Sequence, residues 1–134
     1  MQLETKKTAV RDQSDVWVIP AALRQLAECG DTELLVELVD IFQSDTIVRL
    51  EKLQRLLAAG DFPGTRTEAH TIKGSALQIG ANRMARFCQQ MEIESQKAQA
   101  GELARLFQAV RESFAEVCTA IAERRESSGT PVPW

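Results

Sequence analysis

His70 is the only histidine in the chain. Lys73 follows three residues later and Gly74 comes directly after it, inside "AHTIKGSALQIGANRMARFCQQME", Ala69 to Glu92. On a helix, residues three, four, seven and eight apart stack on one side, so Arg66, Lys73, Gly74, Leu77 and Gln78 share the side of His70. Ala69, Ile72, Ala76 and Ile79 mark the buried stripe, and His70, one residue round from Ala69, stands at its edge, at least partly exposed. Imidazoles as a class titrate near neutral pH, about 6.5, and the neutral ring is a good nucleophile. Attack on an activated phosphate would leave a phosphoryl group on the ring, and a lysine one turn away could balance its charge. A mid-helix glycine costs up to about 1 kcal/mol relative to alanine. Room for a bulky partner beside the ring would compensate. On spacing alone, an edge histidine with a chance lysine neighbour and a glycine serving close packing satisfies the pattern equally well. One histidine without companion ligands builds no metal site. No flanking signature pairs His70 with a serine or cysteine nucleophile.

The elements that must hold this face are helical. The chain has 134 residues, enough for one domain with one core. It is 44% apolar and 26% charged, with 5% aromatics and no tyrosine. A net charge of −3 argues against nucleic acid as a partner. The three cysteines, Cys29, Cys88 and Cys118, are widely spaced with no CxxC pair. Buried thiols in a reducing compartment fit them better than a disulfide framework. No apolar run is long enough to span a membrane and no leader is evident, so the expected location is cytoplasmic.

Residues 1–15 and 125–134 read as flexible tails, with the domain between them at 16–124. Pro20 opens a short helix with Leu23 and Leu26 on one buried face, and Gly30 ends it. Asp31 caps a long helix running to Gly60, about 40 Å in length. Its stripe is Leu35, Val39, Phe42, Thr46, Leu50, Leu53 and Leu57. Asp61 caps the next helix, Pro63 sits in its first turn, Phe62 joins its buried stripe, and Gly80 stops it. Asn82 is expected to cap a fourth helix with Met84, Phe87, Cys88 and Met91 inward. Gly101 is expected to break the chain. A final stripe follows: Leu103, Leu106, Phe107, Val110, Phe114, Val117, Cys118 and Ile121. The pattern predicts an all-α fold, an antiparallel four-helix bundle with a short additional N-terminal helix.

The Ala69–Glu92 stretch resembles the signature of histidine-containing phosphotransfer (HPt) domains. The residues that carry the likeness are His70, Lys73, Gly74, Ser75, Gly80, Cys88 and Glu92, supported by Phe42 and Asp45 in "LLVELVDIFQSD" and by the last apolar stripe. It covers roughly residues 18 to 122. The resemblance implies that His70 is the phosphoacceptor, through Nε2, and that Lys73 steadies the phosphoryl oxygens while Gly74 gives access. It further implies that Glu92 holds the ring by Nδ1. Arg66, Ser75, Leu77 and Gln78 are the expected docking residues around it. The implied function is a phosphorelay intermediate that takes the group from a receiver-domain phospho-aspartate and passes it to another receiver aspartate. The implied partners are response-regulator receiver domains and a hybrid sensor histidine kinase. No nucleic acid or membrane is involved, and the protein is expected to be a monomer. It would be a phosphocarrier without autonomous catalytic machinery or a cofactor of its own, Mg²⁺ belonging to the partner receiver. The alternative is a non-phosphorylated helical-bundle adaptor that binds receivers without phosphotransfer.

Overall fold

The structure, a computed structural model, describes residues 14–127. Five helices follow one another: α1 (Ala21–Glu28), α2 (Thr32–Ala58), α3 (Phe62–Ile79), α4 (Asn82–Gln96) and α5 (Ala100–Ser127). Among the described residues there is no strand. Turns of two or three residues reverse the chain between α2 and α5, so consecutive long helices run antiparallel. Each packs on the next, α5 closes back on α2, and α1 leans on α2.

The apolar stripes meet where their period sends them. Leu35, Val39, Phe42, Thr46 and Leu53 of α2 are buried, with Leu50 and Leu57 half-buried at the edge. Ala69, Ile72, Ala76 and Ile79 of α3 face Met84, Cys88 and Met91 of α4 and the whole α5 stripe, of which only Cys118 is half-buried. Each large side chain so enclosed contributes about 1.5–3 kcal/mol relative to exposure. Phe42 and Phe114 tie α2 to α5 through an edge-on ring contact, centroids 5.9 Å apart at 65°. Glu68 is the exception on the core side of α3. It is buried, and Arg49 Nη1 at 3.0 Å and Lys52 Nζ at 3.5 Å, both from α2, supply the opposite charge.

Residues 15–20 form a strap across the α3–α4 turn. Val18 N donates to Gly80 O (2.8 Å), Trp17 Nε1 to Ile79 O (3.0 Å) and Arg83 N to Asp15 O (2.9 Å). The Asp15 carboxylate pairs with both Arg83 and Arg86, and Arg83 reaches on to Glu116 of α5 at 3.2 Å. Val16 and Ile19 are the strap's own buried side chains.

The strap explains one departure from the sequence reading. Ala81, not Asn82, is the N-cap of α4, because the strap's Asp15 carbonyl takes the Arg83 N–H that a capping side chain would otherwise serve. Asp15 itself, within the expected N-terminal tail, is thus anchored. Gly101 lies inside the first turn of α5; the break falls earlier, at Ala98, whose φ is +53°. Asp31 makes no side-chain cap bond, whereas Asp61 accepts from Gly64 N at 2.9 Å as expected. Leu23 and Leu26 are only half-buried and α1 has no fully buried residue, since it rests on the outside of the bundle. α5 continues past residue 124 to Ser127, its last turn tied to α2 by Arg125 Nη2 at 3.2 Å from Asp40 Oδ1. The rest of the two expected tails lies outside the described residues.

Both Asp15 and Glu92 have carboxyls held below the ordinary range. Burial alone would push Asp15 upward, but the hydrogen bonds from Arg86 and Arg83 outweigh it. At Glu92, burial is outweighed in the same way by Lys73 and His70. A carboxylate with a lowered folded pKa stabilises the fold fully above its unfolded value and loses that contribution as pH falls through the folded value. Urea midpoints should therefore hold steady, as far as these groups are concerned, above about pH 5 and decline below about pH 4. Asp15→Asn and Glu92→Gln should each flatten that decline; an unchanged slope in both variants would contradict these pairings.

Candidate functional site

α3 and α4 position the site together. α3 is fixed at its start by the Asp61 cap and Pro63, and at its end by Gly80 in the left-handed region at φ +89°. The turn is tight enough that α4 lies directly alongside, bringing residue 92 next to residue 70.

The His70 side chain is 68% exposed. Glu92 Oε1 stands 3.1 Å from His70 Nδ1, and Glu92 Oε2 stands 2.7 Å from Lys73 Nζ. Lys73 aims its hydrogen bond at Gln89 Oε1, 2.8 Å away. Glu92 thus joins the ring and the ammonium, itself mostly covered at 16% exposed. Its lowered pKa keeps it ionised, and an ionised carboxylate only accepts hydrogen bonds. In the neutral ring this contact calls for the proton on Nδ1, which leaves the lone pair on Nε2. Among the described residues nothing is bonded to Nε2.

Three depressions are lined in part by α3, one of them by His70 itself. One, of about 460 Å³, is lined by His70 with Arg66, Thr67, Thr71 and Glu92. A second, of about 240 Å³, lies toward the start of α4 between Lys73, Leu77, Arg86 and Gln89. A third, of about 300 Å³, runs between α1, α2 and α3 past Leu23, Leu38, Ile41, Ser75 and Gln78. The expected docking residues line different depressions. Leu77, 52% exposed, stands on the α4 side of the His70 ridge, while Ser75 and Gln78 stand on the α2 side and Arg66 below the ring. Gly74 is exposed, and a Cβ placed there would meet nothing within 4 Å.

Leu38, Ile41 and Gln89 were not among the expected site residues. For the two apolar ones the signal was present. Leu34, Leu38, Ile41 and Val48 recur at helical spacing beside the core stripe of α2, and all are exposed. Cys88 lies buried behind the site, where burial, and then the Glu92 charge, push its thiol up to about 12. That keeps it protonated and unreactive. Among the described residues no group of three or more His, Cys, Asp or Glu side chains is placed to hold a metal ion.

The family model for the Hpt domain matches residues 37–124. The chain belongs to the Hpt domain family. Among solved structures, this Hpt domain is similar to histidine-containing phosphotransfer protein B (HptB) from Pseudomonas aeruginosa PAO1. That match has 26% identity and a TM-score of 0.72, and covers 81% of this chain and 95% of that one. No curated protein matches the chain. Family membership carries a role in histidine phosphotransfer within two-component signalling, in which Hpt proteins meet receiver domains and histidine kinases. No helix among the described residues is long and apolar enough to cross a membrane.

Proposed function

We propose that His70 is the phosphoacceptor of a relay, taking the group from a receiver phospho-aspartate and returning it to the aspartate of another receiver. The observation that carries this is the exposed ring held at Nδ1 by Glu92, 3.1 Å away, with Nε2 unpartnered. The Nε2 lone pair attacks phosphorus in line. The acyl P–O bond breaks and its electrons return to the aspartate as carboxylate. The Nδ1 proton stays in place, so the phosphorylated ring becomes an imidazolium, and the Glu92 carboxylate stabilises that positive charge. Transfer onward is the reverse, with a neutral imidazole leaving.

The domain's contribution is positioning. The acyl phosphate, Mg²⁺ and most of the stabilisation of the transferring group belong to the receiver. Response-regulator receivers and a hybrid sensor histidine kinase are the partner classes this reading requires. The apolar trough of Leu23, Leu38 and Ile41 opens beside Ser75 and Gln78 of α3, and suits a modest, transient, partly apolar interface.

Gly74 supports the reading because the fold does not require it. Nothing crowds its missing side chain, so Gly74→Ala should raise stability by up to about 1 kcal/mol. The same methyl group would stand between the ring and an approaching receiver and slow transfer. Urea melts and transfer rates on one preparation check both halves; greater stability with undiminished transfer would remove the access role.

The direct experiment is incubation with a panel of phosphorylated receivers, followed by mass mapping of acid-labile, base-stable phosphate. Label at His70 is expected. Receiver binding with no label on any residue would favour the adaptor alternative.

A further inference from the structure

Phosphorylation at Nε2 would add a group of charge about −2 to the His70 depression. Resting on the reading of His70 as phosphoacceptor, the question is which side chain answers that charge. Lys73 already holds an ion pair with Glu92 at 2.7 Å before any phosphate arrives. The hydroxyls at the rim are spent: Thr67 Oγ1 donates to Pro63 O at 3.1 Å and Thr71 Oγ1 to Thr67 O at 3.2 Å. Arg66 lines the same depression, and among the described residues no carboxylate stands within 4.0 Å of its guanidinium, Glu92 being turned to His70 and Lys73. Arg66 is exposed and one turn before His70, and it faces the neutral side-chain amide of Gln96, whose oxygen, with that amide turned toward the guanidinium, accepts from Nη2 at 3.2 Å and Nε at 3.3 Å.

We infer that Arg66 is a phosphoryl-binding residue, which leaves the Gln96 amide and places its guanidinium on the oxygens of phospho-His70. The fork of N–H groups suits two phosphoryl oxygens at once. Giving up a neutral amide at an exposed site costs little, whereas Lys73 would have to abandon an ion pair. No bond forms or breaks at Arg66. It stabilises the phosphorylated state, and so sets how the phosphoryl group divides between this domain and a receiver.

The test separates this from a docking role. The equilibrium constant for transfer between a free phosphorylated receiver and this domain contains no term for the affinity of their complex. A residue that only helps docking changes both transfer rates together and leaves that constant untouched. Wild type, Arg66→Lys and Arg66→Gln are equilibrated with one phosphorylated receiver, and the phosphoryl share on each protein is measured, with melting temperatures as a folding check. Arg66→Gln should lower the equilibrium constant for phospho-His70 by about three- to ten-fold, as expected for one partly exposed charge contact. Arg66→Lys should recover part of it, and added salt should narrow the gap. Equal constants with slower transfer in both directions would make Arg66 a docking residue and overturn the inference alone. Wild-type protein that takes no label would overturn the relay reading, and this inference with it.

Discussion

His70→Gln will leave the bundle folded and abolish labelling by every phosphorylated receiver that labels the wild type. The first half follows from position. The ring is 68% exposed and contributes no packing to the core formed by Ile72, Ala76, Met84 and Met91. Its loss removes one contact to Glu92, and that carboxylate keeps Lys73 beside it at 2.7 Å. A change in unfolding free energy under about 1 kcal/mol is expected, as for surface substitutions generally. The second half follows from chemistry. Glutamine has no lone pair of comparable nucleophilicity, and the Cys88 thiol behind the site is buried and pushed up to about 12. Circular dichroism and a radiolabel transfer assay on the same protein check both. Persistent acid-labile label in the variant would move the acceptor elsewhere.

Gly80→Ala should be the most damaging small substitution in the fold. The position has φ +89°, which costs a residue with a Cβ about 1–2 kcal/mol. The added carbon would also lie 1.9 Å from Val18 O and 2.7 Å from Val18 C, both backbone atoms that no rotamer change can withdraw. The strap must lift. That releases the Val18–Gly80 and Trp17–Ile79 hydrogen bonds and uncovers Val16 and Ile19. Together these amount to about 3 kcal/mol or more, a fall in melting temperature of about 10 °C for a domain of this size. A loss below about 1 kcal/mol would show that the strap is not held as described. Because no site residue belongs to the strap, the variant should still label at temperatures where it remains folded.

These outcomes draw on very different degrees of legibility in the sequence. The interior was readable because helical burial has a period: Leu35 through Leu53 and Leu103 through Ile121 fall on single stripes, and the stripes meet. Gly80 was readable as a helix stop, but not as the seat of a strap, since nothing local to "VWVIP" says that it crosses a turn sixty residues away. The same long-range contact moved the α4 cap from Asn82 to Ala81. Glu68 was readable and overlooked. It is a charge on the core side of α3, one residue before Ala69, and such a position demands partners like Arg49 and Lys52. Within the site, Lys73 and Gly74 follow from helical stacking on His70. Glu92 does not, because it is 22 residues away on another helix, and only the family resemblance pointed to the contact. The docking side chains were named around His70 without a partner surface for each, which only the neighbouring helices supply: Ser75 and Gln78 open toward α2, and Leu77 toward α4.

The most direct measurement is NMR of the wild-type domain with nitrogen-15 in its imidazole, taken before and after exposure to a phosphorylated receiver. Before exposure, the ring should show its proton on Nδ1, facing Glu92. Afterwards, phosphorus should couple to Nε2 of His70, with the Nδ1 proton still in place. Phosphorus on Nδ1, or a ring unchanged by receivers that bind the protein, would contradict the account.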